Sequence, residues 1–467
     1  MKARILLATA TALWTLGSAA QEPPAVDQAL PNPDRINPNP NASPAVAPHT
    51  LDMLGMELSE AEQTAIASAI QSARKISAAA HSLNSPRYGN HYRRDAHAKA
   101  TGCLRAEFEI NGDIPPRFQH SIFSEPGRSY RAWIRFSNGD MQVQPDSQGD
   151  ARGMAIKVMK SGGTPIAAEL PQGAAANQDF IMTNTPAFFH RNIFDYAENM
   201  QHLAQLDRRG WFFSLWPPRL RVKEMWRAYQ TVSSTIDTPL AEQYFSMLPY
   251  RLGETPIKFS TRPCAGSDFS RARANRQRGE NYLTRQMSET LTSASACFDF
   301  MVQPRLSGAT GQEMPLDDGT VIWKESRSPF IPIARIHIPP QEFTGRAQRN
   351  FCENLSMNPW RGVGEWEPLG SLNRARRLVY HAVSDFRHRK NAATYQEPDN
   401  WCIPGAKVPC SDTQGLKLRK PRWPLPRCFD GHFRPRDGSA VSSQCDGYNT
   451  GRRSLDNATS NTRAAAT

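Results

Sequence analysis

Two groups of residues in this 467-residue chain have the types and spacing to do acid–base or metal chemistry. One is His97, in the run Arg94-Asp-Ala-His97-Ala-Lys-Ala-Thr-Gly102. A histidine there can act as general base, metal ligand or hydrogen-bonded core residue, and taken alone the last is the plainer reading. The other is Arg376-Arg-Leu-Val-Tyr380, with Arg387 beyond it. A phenol with an ordinary pKa of about 10 ligates metal poorly while protonated, so it needs a cation to hold the phenolate. Arg376, four residues earlier, shares a helix face with Tyr380, and Arg387 returns to that face seven residues later. A surface Arg–Tyr pair is the bland alternative. Two further runs stand between these groups. Ile134-Arg135-Phe136-Ser137-Asn138-Gly139 is followed by Gly149-Asp-Ala-Arg152-Gly153-Met-Ala-Ile-Lys157, and then Asn177-Gln-Asp-Phe-Ile-Met-Thr-Asn184-Thr-Pro-Ala-Phe188-Phe189.

The elements that must position these residues are written in the periodicity. Leu104, Ala106, Phe108 and Ile110 alternate with Arg105, Glu107 and Glu109, which predicts a strand with one wet face. Tyr130, Ala132, Ile134 and Phe136 repeat the pattern. Further strands are expected at 153–159, 179–183, 298–303, 320–323 and 334–338, so the core reads as a barrel or sandwich. Helical spacing at 189–206 and 221–247 predicts a long insertion between strands. Ser59-Glu-Ala-Glu62 is a capping box, and Ile66, Ile70, Ala73 and Ile76 carry an amphipathic helix to near Ala80. Leu372, Ala375, Val379, Ala382, Val383 and Phe386 mark a last helix over 371–390.

The ends have a different character. Lys2 and Arg4 precede an apolar run from Ile5 to Leu16 and then Gly17-Ser-Ala-Ala20, the order of a Sec-type signal peptide cleaved after Ala20. That predicts a secreted or periplasmic protein. The run is too short to span a bilayer, and no later stretch is long and apolar enough for a membrane helix. Residues 21–50 are rich in proline and asparagine and read as an extended arm or linker. Of eight cysteines, four follow residue 400, and none is spaced CxxC or CxxCH, so common zinc patterns and covalent c-type haem lack support. Their pairing stays open. Residues 401–467 carry eleven Lys+Arg against five Asp+Glu, part of a net charge of +12. With sparse aromatic interleaving and an exported location, this basic tail reads as solvated surface rather than a nucleic-acid site.

Taken in order, the four runs resemble the haem catalase superfamily, over roughly residues 90–390. The branch resembled is the short, catalase-related peroxidase one. The resemblance implies an α+β fold: an antiparallel β-barrel core of the catalase type with helical insertions and a C-terminal proximal helix. It implies a domain over 91–395, with the helix and its lead-in at 51–90 and a Cys-rich basic extension at 396–467, its end disordered. In that family the RxxHAK run supplies a distal histidine, matched by His97, and the NTPxFF run a distal asparagine, matched by Asn184. Ser137 matches the residue that hydrogen-bonds the distal histidine. Tyr380 matches the ligand to iron, Arg376 its cation, and Arg94, Arg135 and Arg387 the groups that neutralise haem propionates. Phe189, with Phe188, matches a position lining the haem face. The cofactor so implied is haem b, iron protoporphyrin IX.

The chemistry implied is that of an exported haem enzyme acting on hydrogen peroxide or organic hydroperoxides. His97 takes a proton from a bound peroxide and returns it to the outer oxygen, so that water leaves. The tyrosinate donates electron density to iron. The partners implied are a small peroxide and an organic electron donor, with no nucleic acid and no membrane span. The arm allows a homo-oligomer, by analogy with long-armed catalases. Two departures bear on the reaction. Ala96 stands where large catalases carry valine and allene oxide synthases threonine, and Ser384 stands four residues after the tyrosine where common catalases carry histidine. Rearrangement of a fatty-acid hydroperoxide and an inactive haem- or envelope-binding module are the alternative readings.

Overall fold

Alternating strands need an enclosed apolar interior and a solvated or covered outside. In the computed structural model, which describes residues 58–403 apart from 169, 171–175, 217, 268 and 270–278, the first strands are β1 (Ala100–Ile110), β2 (Ser129–Asn138), β3 (Arg152–Val158) and β4 (Gln178–Thr183). The signal peptide, the arm and the extension beyond residue 403 lie outside the described residues. A hairpin of β5 (Phe213–Leu215) and β6 (Pro218–Leu220) stands apart from the main sheet. Then come β7 (Tyr244–Phe245), β8 (Tyr250–Leu252), β9 (Thr255–Pro263), β10 (Ala296–Pro304), β11 (Ile331–Ile338) and β12 (Trp366–Pro368).

The order β10-β11-β1-β2-β3-β4-β7-β9 closes on itself because β9 also pairs with β10, so eight strands make an antiparallel barrel. Inside it Phe108, Phe180, Phe259, Phe300 and Trp366 pack ring on ring, with centroids 4.7 Å apart for Phe180 and Phe300 and 5.3 Å for Phe180 and Trp366. Each buried ring contributes about 1.5–3 kcal/mol, so this interior is a packed core and any ligand site lies outside it.

Three helices share a second apolar core against the barrel: α1 (Glu60–Tyr88), α2 (Ile193–Ala204) and α6 (Ser371–Lys390). Between them run α3 (Val222–Val232), α4 (Tyr282–Ser293) and α5 (Arg346–Asn354). The Ser59 box is made, its hydroxyl accepting from Glu62 N at 3.2 Å and Glu62 accepting from Ser59 N at 3.3 Å. The helix runs two turns past Ala80 because Asn84, with its carboxamide bonded to Met141 O and Val143 N, holds the last turns in place. The last helix lies over the residues its spacing predicts.

The structure corrects two expectations. No strand forms over 320–323: Thr320 N bonds Asp318 Oδ1, while Lys258 Nζ and Gln303 Nε2 donate to Val321 O and Trp323 O. Those side chains take the hydrogen bonds a ladder would use. The helix expected over 221–247 ends at Val232, and the chain then passes through Pro239 into β7.

Two disulfides join described residues of the shell. Cys103 in β1 joins Cys352 in α5, and Cys264 after β9 joins Cys297 in β10. The chain beyond α6 folds back on the barrel through a buried network. Lys157 lies 2.7 Å from Asp179 and 2.9 Å from Glu397, and Arg361 lies 2.8 Å and 3.1 Å from the same two carboxylates. Residues 397–401 therefore pack with the barrel, and Trp401 Nε1 donates to Ala132 O.

Candidate active site

The segment before β1 is bent sharply to present one imidazole. His97 has φ 57°, in the left-handed region, a conformation worth roughly 1–3 kcal/mol of strain that its surroundings must hold. They do so on both sides. His97 N donates to Gly139 O at 2.8 Å, and Arg135 Nη2 donates to His97 O at 2.8 Å. Two residues on, the buried Lys99 ammonium is pinned to Asp146 at 2.7 Å. Arg152 belongs to the same support, its guanidinium donating to Asp146 O and Gln148 O.

The ring's Nδ1 lies 3.0 Å from Ser137 Oγ, which fixes its plane and leaves Nε2 for a ligand. Burial, then the charges of Arg135, Arg94 and Arg376, push the imidazole pKa down to about 3. His97 is therefore neutral across the physiological range. The ring sits against β3, where a Cβ on Gly153 would fall 2.6 Å from Nδ1 and 2.8 Å from Ser137 Oγ. Only glycine admits this approach.

Register decides what else faces His97. Ser137 pairs with Gly153, and Gly153 with Thr183, so the three positions lie side by side on one face of the sheet. Thr183, not Asn184, is the residue of that run on the His97 face. The carboxamide oxygen of Asn184 accepts from Arg152 N at 2.8 Å, and burial is opposed by its hydrogen bond to Glu242 in setting that carboxyl's raised pKa. The structure thus places Asn184 as a bracket across the end of β3 and β4. A motif match does not show which face a residue takes; counting strand positions back from Thr183 would have shown it.

Arg94, Arg135 and Arg387 come together from three elements. With Arg93 they surround a single carboxylate, Glu353 at the end of α5. Arg93 lies 3.0 Å from it and Arg94 3.6 Å, and Arg387 Nη1 donates to Glu353 O at 2.9 Å. Burial raises the Glu353 pKa, but Arg94, Arg93, Arg135 and Arg387 outweigh it and leave the group below its usual range. Burial and the neighbouring guanidiniums lower Arg135 well below its ordinary value and push Arg387 down to about 9. Nε of Arg93, Arg135 and Arg387 is buried without a hydrogen-bond partner. Unspent donors in an excess of cations fit an anionic ligand with more than one carboxylate. Glu353 was missed in the sequence because α5 is polar almost all round.

On α6 the helical spacing gives the contact it predicts. Arg376 Nη2 donates to Tyr380 Oη at 3.1 Å and the guanidinium lies 5.1 Å from the ring centroid. Burial would lower the Arg376 pKa, but Tyr380 and Tyr250 raise it overall, so the cation beside the phenol is permanent. Asn373 Oδ1 accepts from Arg376 at 3.0 Å and holds it. The charge of Arg376 also acts on His97, which puts the helix and the imidazole within electrostatic reach of each other. Tyr196 on α2 senses both Asp95 and Tyr380 and is raised well above 10, chiefly by burial. Phe188 and Phe189 stack with centroids 5.2 Å apart in an aromatic group that includes His190, Tyr196 and Trp211. His190 is structural, buried and paired with Asn199 at 2.8 Å.

Among the described residues no group of three His, Cys, Asp or Glu could hold a metal ion. A single tyrosinate, with the other donors supplied by a macrocycle, is a different donor set, and the unspent arginine donors and the Arg376–Tyr380 contact fit such a group.

A family model described as catalase matches residues 90–209. Catalase B of Staphylococcus xylosus and a catalase of Staphylococcus saprophyticus subsp. saprophyticus are each 31% identical over 117 residues, 25% of this chain and 21% of theirs. The chain thus matches about a fifth of the length of these curated relatives. Among solved structures, a fungal catalase aligns with TM-score 0.47 at 16% identity, covering 65% of this chain and 61% of that one. Catalase A from Saccharomyces cerevisiae aligns with TM-score 0.47 at 17% identity, covering 76% of both chains. The matched segment contains His97, Arg135, Ser137, Gly153 and Thr183, and over that segment the chain is similar to the catalase family.

Proposed function

We propose that the chain is an exported haem b enzyme that consumes hydrogen peroxide or organic hydroperoxides. The observation that carries this reading is the neutral His97 bonded to Ser137, within reach of the Arg376–Tyr380 pair. Haem, when bound, supplies the redox equivalents for breaking the O–O bond. Tyr380 would hold its iron from α6, and Arg94, Arg135 and Arg387 would meet its carboxylates.

The residues of the chain supply the rest. His97 Nε2 takes the proton from one peroxide oxygen and delivers it to the other, so that the departing oxygen leaves as water from hydrogen peroxide, or as an alcohol from an organic hydroperoxide, rather than as an anion. Ser137 keeps the ring from turning between the two transfers. Arg376 donates to the Tyr380 oxygen and keeps a positive charge beside it. Export is supported by the two disulfides, which persist in oxidising compartments and are rare in the cytosol. Hydrogen peroxide and organic hydroperoxides share the O–O bond this machinery acts on, and Ala96, small and exposed, favours the wider acceptance.

The test is peroxide consumption by haem-loaded protein against pH. A base with its pKa near 3 is unprotonated above that value, so turnover is expected to hold between about pH 8 and pH 4 and to fall only as pH approaches about 3. His97→Ala is expected to cost about 10²–10⁴-fold with the haem spectrum retained. A rate that halves near the ordinary histidine pKa of about 6.5, or a His97→Ala variant of full activity, contradicts the assignment.

A further inference from the structure

The insertion between α2 and the barrel is built inside out. In the β5–β6 hairpin, Phe213 pairs with Leu220, Ser214 with Arg219 and Leu215 with Pro218. Phe213, Leu215, Pro218 and Leu220 therefore share one face, and Ser214 and Arg219 the other. The polar face is the anchored one: Arg219 is bonded to Glu198 of α2, and Arg221, just beyond, reaches Glu198 at 2.8 Å and Asp195 at 3.0 Å. The apolar face looks outward, with Leu215 80% and Trp216 89% exposed at the tip. In α3 the inversion repeats. Its one buried residue is Glu224, 3.7 Å from Arg191, while Val222 and Trp226, four residues apart on one helix face, are exposed.

Two adjacent elements that turn carboxylates and arginines inward and tryptophan and leucine outward have an apolar partner in view. Charge selects which. Arg219 and Arg221 are spent on Glu198 and Asp195 and Arg208 on Asp140, whereas Lys223 and Arg227 stand beside Val222 and Trp226 on α3 and Glu224 is turned inward, so the outward apolar surface is edged by these two cations. A narrow tip of leucine and tryptophan enters a fluid layer without needing a matching pocket, and tryptophan favours the boundary between apolar chains and water. We propose that the β5–β6 hairpin and α3 form a membrane-docking surface that seats the protein on an anionic lipid bilayer. The tip enters the acyl boundary and Lys223 and Arg227 meet lipid phosphates. This docking is independent of the peroxide chemistry.

The experiment is flotation of the mature full-length protein with phosphatidylcholine vesicles, with and without phosphatidylglycerol. The protein is expected to float with the anionic vesicles, less with the neutral ones, and its tryptophan emission to shift to shorter wavelength. The double substitution L215E/W216E is expected to lower the partition coefficient by about tenfold or more, as loss of two buried apolar side chains requires, with an unchanged melting temperature. Trp226→Glu, on the other element, is expected to weaken binding in the same direction. The proposal is overturned if the unsubstituted protein stays unbound or L215E/W216E floats equally well. It is also overturned if light scattering finds a dimer that L215E/W216E makes monomeric while vesicles bind neither form, which would assign the surface to a second copy.

Discussion

At the scale of single residues the site is organised around what has been left out. Gly153 has no side chain because His97 and Ser137 occupy the space a Cβ would need, within 2.6 Å and 2.8 Å. Gly153→Ala must push the ring off Ser137 or bend β3, at a stability cost of about 1–3 kcal/mol. A larger effect is expected on chemistry: peroxide turnover should fall by about 10²-fold, because a misplaced base loses its alignment with the transferring proton. A steady-state comparison of Gly153→Ala with the unsubstituted protein checks it, and equal turnover with equal melting temperature would show that the close approach has no bearing on catalysis. His97, Ser137 and Tyr380 were singled out by the order of runs that resemble the catalase family, and only the Arg376–Tyr380 contact follows from helical spacing. Thr183 and Glu353 were not singled out, since one depends on cross-strand register and the other on which loop end meets an arginine cluster.

At the scale of elements, alternation over β1 and β2 was readable because apolar inward positions alternate with mostly polar outward ones, even though the outer face of β2 is itself covered, Trp133 packing with Cys103, Met159 and Leu355. β9 escaped notice for the opposite reason: Ile257, Lys258, Phe259, Ser260 and Thr261 are buried in succession, which erases the wet–dry rhythm. The element most dependent on one residue is the return of the chain after α6. Asp179 neutralises Lys157 and Arg361 in a buried network with Glu397. Asp179→Ala leaves two cations sharing one carboxylate, and breaking a buried network in this way costs about 3–5 kcal/mol. Urea unfolding followed by circular dichroism should show the midpoint fall accordingly. A change within error would mean that Glu397 and water suffice for both cations.

At the scale of the whole molecule, aromatic rings fill the barrel and the helices α1, α2 and α6 share a separate apolar core, so the proposed chemistry lies outside the barrel interior. The class of fold was within reach of the sequence because short alternating strands and one long final helix each leave their own period. A closed barrel was expected from the resemblance to the catalase family, but that β9 and β10 are the strands that close it was not legible, because pairings between distant strands leave no local trace. The proposed export concerns the same scale. Mass spectrometry of the protein recovered from an envelope or culture fraction should give a mature chain beginning at Gln21, with Cys103 and Cys352 oxidised. An intact Met1 start with reduced cysteines would place the protein in the cytosol.

The central claim is that Tyr380 on α6, bonded to Arg376, would hold the iron of a haem on which His97 supplies the base. Its most direct measurement is the absorption spectrum of purified protein supplied with hemin, for the unsubstituted chain and for Tyr380→Phe. The account predicts stoichiometric haem uptake with tyrosinate ligation in the unsubstituted protein, and weakened uptake or an altered spectrum in Tyr380→Phe. A protein that stays colourless with hemin, or a Tyr380→Phe variant with the same spectrum and the same peroxide turnover, contradicts it.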